Sequence, residues 1–166
     1  KLNVSVILPW IYQETDHISI VPGFSDFIIE SQGIGDIGLS AGYKLLKRNN
    51  HSLLFTVGVG LPTGSIDETG PTPRDANRDT QLPYTMQLGS GTVDLLPGLT
   101  YAGKYGRYYY GLQGLGTIRL GKNDRNYSLG DRIFVGGWAG ANLTDWLSIT
   151  GKITWQIWGK IDGQDD

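Results

Sequence analysis

Between Gly35 and Ile161 apolar side chains return at every second position, segment after segment. In Ile37, Leu39, Ala41, Tyr43, Leu45 they alternate with Gly38, Ser40, Gly42 and Lys44. The pattern recurs in Leu53, Phe55, Val57, Val59, Leu61. It recurs again in Leu147, Ile149, Ile153, Trp155, Ile157, set against Ser148, Thr150, Lys152, Thr154, Gln156 and Lys160. A period of two is the signature of strands whose two faces meet different surroundings, one apolar and the other polar. The spacing predicts seven strands: 1–12, 34–46, 52–61, 92–104, 108–120, 131–142 and 146–160.

The connections alternate in length. Short turns are expected at Lys47-Arg48-Asn49-Asn50, Tyr105-Gly106-Arg107 and Thr144-Asp145, where Asn and Gly tolerate the left-handed backbone of tight hairpins. Long connections are expected at Gln13–Gly33, Pro62–Gly91 and Gly121–Gly130. The first is unusually apolar, with Ile18, Ile20, Val21, Phe24, Phe27, Ile28 and Ile29, and should extend its flanking strands or fold against the sheet's end. The second, rich in Gly, Pro, Thr, Asp, Asn and Arg, reads as an exposed loop. Pro97 lies inside the fourth strand, where it lacks a ladder donor, so a bulge or a weak point is expected there. In the sixth strand Ile133, Val135, Ala139 and Ala141 are taken as outward, leaving Trp138 to fill the interior.

Strict short–long alternation with two-faced strands is the pattern of an up-and-down transmembrane β-barrel. The fold class expected is therefore all-β and antiparallel, a single domain over 1–166 in the bacterial outer membrane, with lipid as one partner. Seven strands cannot close such a barrel, because an open edge in lipid leaves backbone N–H and C=O groups unsatisfied. The domain is therefore expected to be incomplete at both ends, and the secreted protein to have carried a leader ahead of Lys1. Composition agrees. With Gly at 25 of 166 residues a helical protein would be badly destabilised, whereas a curved sheet uses glycines to bend and to spare room inside. Five Trp and nine Tyr suit interfacial belts, expected as Tyr105, Tyr108 and Trp146 near the short turns and Trp10, Tyr12 and Trp158 near the loops. The absence of Cys removes disulfides and thiolate metal sites, and a formal charge of -2 argues against a nucleic-acid partner.

Several stretches carry a family likeness. They are Gly33-Ile34-Gly35-Asp36, Leu61-Pro62-Thr63-Gly64, the block from Leu82-Pro83-Tyr84-Thr85-Met86 through Pro97-Gly98-Leu99-Thr100-Tyr101, and Ile118-Arg119-Leu120-Gly121. Tyr127-Ser128-Leu129-Gly130-Asp131-Arg132 and Gly159-Lys160-Ile161-Asp162-Gly163 extend it, so that it runs from about Leu2 to Gly163. The sequence resembles the outer-membrane transporters of the phenol-degradation meta-pathway (MetA) family. That resemblance implies a barrel of about twelve strands, of which this chain would supply the middle seven. It also implies a small, aromatic or otherwise hydrophobic solute. The Met- and His-rich N-terminal segment of the family has no counterpart here, so no metal role is carried over. The family supplies no catalytic residues.

The residues expected to line the lumen and meet a solute are Asp36, Thr56, Asp94, Gln113, Arg119, Asp131, Trp138, Lys152, Gln156 and Lys160. Lys44, Thr100 and Lys104 share their face, the two lysines near the short turns. Charges of both signs there can set ion selectivity. They can equally pair across strands and plug the interior. The functional expectation is a passive channel or transporter for a small solute, without enzymatic chemistry, cofactor or metal; the alternative is a closed-lumen structural or ligand-binding barrel. An outer-membrane enzyme would need a base beside its nucleophile, and His17 and His51 fall at opposite ends of the strands. Glu14-Thr15-Asp16-His17 and the tail Asp162-Gly163-Gln164-Asp165-Asp166 offer only faint metal or calcium patterns. Gly33-Ile34-Gly35 lacks the third glycine and the helix of a dinucleotide site. A soluble lipocalin-like carrier would need the apolar face inside, and the Gly-, Lys- and Thr-rich face makes a poor hydrophobic cavity. Oligomeric state leaves no mark in the sequence.

Overall fold

The alternating segments do form strands. The computed structural model describes residues 2–23, 25–73 and 75–163, with the backbone alone at 75–79. Lys1 of the first expected strand, Phe24 and Arg74 of the long connections, and residues 164–166 of the acidic tail lie outside the described residues. In chain order the strands are β1 (Leu2–Ile7), β2 (Trp10–Ile18), β3 (Asp26–Ile34), β4 (Ile37–Arg48), β5 (His51–Leu61) and β6 (Thr69–Thr72). There follow β7 (Asp75–Gln81), a 3-10 turn at Tyr84–Met86, β8 (Val93–Leu95), β9 (Gly98–Tyr105), β10 (Tyr108–Leu120), β11 (Arg132–Asn142) and β12 (Ser148–Trp158). There is no α-helix among the described residues, and no helix long and apolar enough to cross a membrane.

One antiparallel sheet of eight strands carries the fold, in the order β1-β4-β5-β8-β10-β11-β12 with β9 beside β5 and β10. Among the described residues β1 and β12 are its two free edges. The hairpins β2–β3 and β6–β7 stand apart as two-stranded sheets. The three short turns lie on one rim, joined there by bonds from Lys104 N to the Asn50 carbonyl and from Asn142 N to the Arg107 carbonyl. Asn49 at φ 49° and Gly106 at φ 56° take the left-handed conformation such turns require. In the third turn the Thr144 hydroxyl accepts from the Trp146 and Leu147 amides. The long connections all leave from the opposite rim.

Four expectations are corrected. The first strand does not run on to Tyr12. It breaks at Leu8-Pro9, because Ile7 pairs with Gly38 while the Pro9 carbonyl takes the Gly35 amide, leaving one more residue on the β3–β4 side. That shift is a bulge, and beyond it β2 and β3 continue as a separate hairpin, so most of Gln13–Gly33 is strand rather than loop, in the extension of the flanking strands expected for part of it. The fourth expected strand is split at Leu96-Pro97 into β8 and β9, so that Pro97 is the weak point expected there, without a bulge. Thr56 pairs with Gly98 and Val59 with Leu95, an unbroken register, and only the bond that a proline N–H would have given Gly116 is missing. An unforeseen irregularity lies at Leu45, where the register slips between Lys44 and Leu46.

The fourth correction concerns Pro62–Gly91, which is not simply exposed. It holds β6, β7 and the 3-10 turn, and it contributes Leu82, Met86 and Leu88 to the few buried apolar side chains among the described residues. Leu82 is 1% exposed and packs with Met86 and with Ile29 of β3, against Phe27. Gln87 ties the segment together, receiving the Glu68 amide and donating to the Leu82 carbonyl. The hydrophobic core thus sits in a cap over one rim of the sheet. The central strands have a covered face, where Gly58, Gly60, Asp94, Gly98 and Gly111 are buried, and an apolar face left open; the edge strand β12 continues both faces but is exposed on each. On the open face Leu112, Ile153 and Trp155 are 62%, 81% and 69% exposed.

Candidate functional site

Strand alternation places the polar side chains of β4, β5 and β8–β12 on the face opposite the apolar one, and the capped rim gathers its carboxylates and Arg119. Arg119 of β10 and Asp94 of β8 face each other in register and form an ion pair, each side chain only 6% exposed. The Thr92 hydroxyl donates to the second Asp94 oxygen at 2.9 Å. Asp36, between β3 and β4, accepts the Gly64 amide at 3.0 Å and the Ser90 amide and hydroxyl at 2.8 and 2.6 Å. Asp131 is exposed and accepts the Arg119 amide at 2.9 Å. Asp36, Asp94 and Arg119 are therefore structural partners first. They anchor the cap to the sheet; both carboxylates are satisfied by protein groups, while the buried Arg119 Nε has no hydrogen-bond partner among the described residues.

The remaining predicted positions lie farther down the same face. Gln113 donates to the Thr100 hydroxyl at 3.0 Å across β9 and β10. Thr56 sits beside Gly98, where a side chain would collide with its hydroxyl. Trp138 lies across Gly111 of the neighbouring strand, its ring occupying the space a Cβ would need. Lys152 pairs with Trp138 in register and holds its ammonium 5.9 Å from the Phe134 ring. Gln156, opposite Phe134, is exposed on β12. Lys160 lies past the end of β12 and lines an open hollow of about 540 Å³ with Arg119, Lys122, Asp131 and Asp162. Asp162 pairs with Lys122 at 3.2 Å. The set is thus divided: Asp36, Asp94, Arg119 and Asp131 cluster at the rim, while Thr56, Gln113, Trp138, Lys152 and Gln156 are spread along the face.

Sequence reasoning missed Ser90, Thr92, Asn123 and Tyr127, which bind the cap together. The Asn123 amide donates to the Ser90 carbonyl at 3.0 Å, and the Tyr127 ring stands 4.1 Å from that of Tyr84. Arg125 reaches from the same loop to Asp67 at 2.6 Å and to the Gln81 side chain. Burial pushes the Tyr127 phenol above its ordinary range, partly opposed by Asn123 and Arg125. No periodic signal marks these loop residues. Arg132 was also missed, although it shares its parity with Phe134 and Trp138. Its guanidinium lies 4.4 Å from the centre of the Trp158 ring.

The two histidines are far apart, as their strands require. His17 stacks on Phe27 in the β2–β3 hairpin at 5.1 Å, and His51 bonds the Tyr101 hydroxyl at 2.8 Å beside the first short turn. Among the described residues no three His, Cys, Asp or Glu side chains are placed to hold a metal ion. In comparisons with known proteins, no family model matches the chain and no curated protein matches it significantly.

Proposed function

We propose that this sheet is part of the wall of an outer-membrane β-barrel through which a small solute passes without chemical change. The observation that carries the reading is the inequality of the two faces. On one face Leu39, Val57, Leu99, Leu112, Ile118, Val135, Ile153 and Trp155 stand open together. A patch of that extent in water would forgo roughly 25 cal/mol for every Å² left uncovered, and monomeric soluble proteins seldom keep one. The other face is mostly small and polar from β4 to β10, with glycines, Thr56, Thr100 and Gln113 leaving room beside the strands, and carries Phe134 and Trp138 on β11. The alternation of turns and long connections between opposite rims suits a sheet inserted from one side. In lipid the free edges β1 and β12 would need further strands to satisfy their backbone groups. The aromatic or hydrophobic character of the solute rests on the likeness to the MetA family alone.

A second reading, a closed barrel that binds or supports without transport, is favoured by the cap. Residues 62–91 are packed against both neighbouring connections through Ile29, Leu82, Met86 and the Asn123–Ser90 bond. Solute flux into liposomes carrying the full-length protein separates the two. Flux that rises when residues 69–81 are replaced by a short Gly-Ser turn supports a passage gated by the cap. No flux in either form supports the closed barrel.

A further inference from the structure

We infer that the covered face of β10–β12 is a binding track for aromatic anions, with Arg132 and Lys152 as its charge contacts and the rings of Trp158, Phe134, Trp138 and Tyr109 as its floor. The two halves of the covered face differ in chemistry. On β4, β5 and β8–β9 it is mostly Gly, Ser and Thr, with Lys44 and Lys104 exposed near the short turns, and its acids are already engaged, Asp94 by Arg119 and Asp36 by Gly64 and Ser90. On β11 and β12 the register sets Arg132 opposite Trp158, Phe134 opposite Gln156, and Trp138 opposite Lys152. At about 3.3 Å per residue, Arg132 and Trp138 are separated by roughly 20 Å along the strand. A cation and a ring thus stand together at each end of this stretch, with Phe134 between them. Of the acids near this side, Asp131 lies at the rim and accepts the Arg119 amide, and Asp162 pairs with Lys122. Asp94 and Asp36, the carboxylates within electrostatic reach of Arg132, are held by Arg119, Thr92, Gly64 and Ser90.

Arg132 and Lys152 have no ion pair among the described residues; each instead lies over an aromatic ring. A cation held over a ring keeps its outer N–H groups free for a carboxylate or phenolate, while the ring beside it offers a stacking surface. The Arg132 Nε is buried and has no hydrogen-bond partner, an orphan donor of the kind an anionic ligand would satisfy. The floor is held rigid by the neighbouring glycines. Trp138 lies over Gly111, and Tyr109 crosses Gly140 to reach the Thr150 hydroxyl at 2.5 Å. A neutral aromatic would gain the stacking but not the charge contacts, and an aromatic cation would be repelled.

The track deepens the proposed passage but can be tested without it. Tryptophan fluorescence of the detergent-solubilised full-length protein is titrated with benzoate, benzyl alcohol and benzylamine. Benzoate should bind roughly tenfold more tightly than benzyl alcohol, the yield of one charge-assisted contact, with benzylamine weakest. The pair Arg132→Gln and Lys152→Gln should erase that preference and leave benzyl alcohol unchanged. The pair Arg132→Lys and Lys152→Arg should retain it, which separates loss of charge from loss of fold. Equal or tighter binding of benzylamine, or a benzoate preference that survives both glutamines, would overturn the track. Flux of a small neutral sugar, which the bilayer itself excludes, into liposomes reports on the passage alone, so a preference for benzoate without flux leaves the track standing in a closed barrel.

Discussion

Asp94 and Arg119 are nearly sealed from solvent, so their pairing is a matter of necessity more than of stability. Removing one partner strands the other: Asp94→Asn should cost about 3–5 kcal/mol in a urea refolding titration, far more than a surface pair would. Close approach makes an equally local demand at Gly111. A Cβ there would stand 2.1 Å from the Trp138 ring, whereas one at Gly114 would meet nothing within 4 Å. Gly111→Ala should therefore destabilise by about 1–3 kcal/mol, and Gly114→Ala by less than about 0.5 kcal/mol. Tyr127 provides a pH test. Burial raises its pKa in the folded state, so the folded protein holds this proton more tightly than the unfolded chain does. Its stabilising share is complete below the unfolded value of about 10 and is lost as pH rises through the higher folded value. The difference in phenolate absorbance between the parent and Tyr127→Phe should appear above the ordinary tyrosine range.

At the scale of elements, long periodic strands are the legible part. The expected strand 108–120 coincides with β10, and 131–142 and 52–61 differ from β11 and β5 by a residue at one end. Trp138 falls on the covered face because Ile133, Val135 and Ala139 share the opposite parity. Short strands are not legible in the same way. β6 and β7 carry no apolar alternation; they form because the connection must fold back over the rim, where Leu82 and Met86 find Ile29. The bulges at Leu45 and between β1 and β2 are equally silent, since each depends on the partner strand. The cap accordingly holds the hydrophobic cluster, apart from the open apolar face of the sheet. Leu82→Ala should cost about 2–5 kcal/mol within the cap, seen as faster hydrogen exchange across 62–91 with exchange in β10 and β11 unchanged.

At the scale of the whole molecule the question is which medium each face meets. If the open face meets lipid, Arg at Val57 or Ile153 should destabilise the refolded protein by roughly 2–4 kcal/mol, while Thr154→Arg on the covered face should be mild. Gly58 is no fair comparison, because it is buried against Ser40 and the Leu39 carbonyl and any side chain would clash there. Two tryptophans on one strand give an independent reading. Trp155 pairs with Val135 on the open face, whereas Trp158 shares the covered face with Arg132. In single-tryptophan variants, brominated lipid should quench Trp155 strongly and Trp158 weakly. Equal quenching would count against a sheet with one face in lipid.

The sequence by itself determined that the chain is two-faced and antiparallel, which side chains share a face, and which connections are short. Those properties follow from a period of two and from turn chemistry, both written locally along the chain. Only the tertiary structure decided how the charges are spent. Whether Asp36 and Asp94 face a solute or a protein donor depends on Ser90, Gly64 and Arg119, far from them in sequence and brought near by strand register and by the folding of the cap. The same register left Arg132 and Lys152 over aromatic rings instead of carboxylates. Pairing across strands is a long-range property that no local pattern encodes.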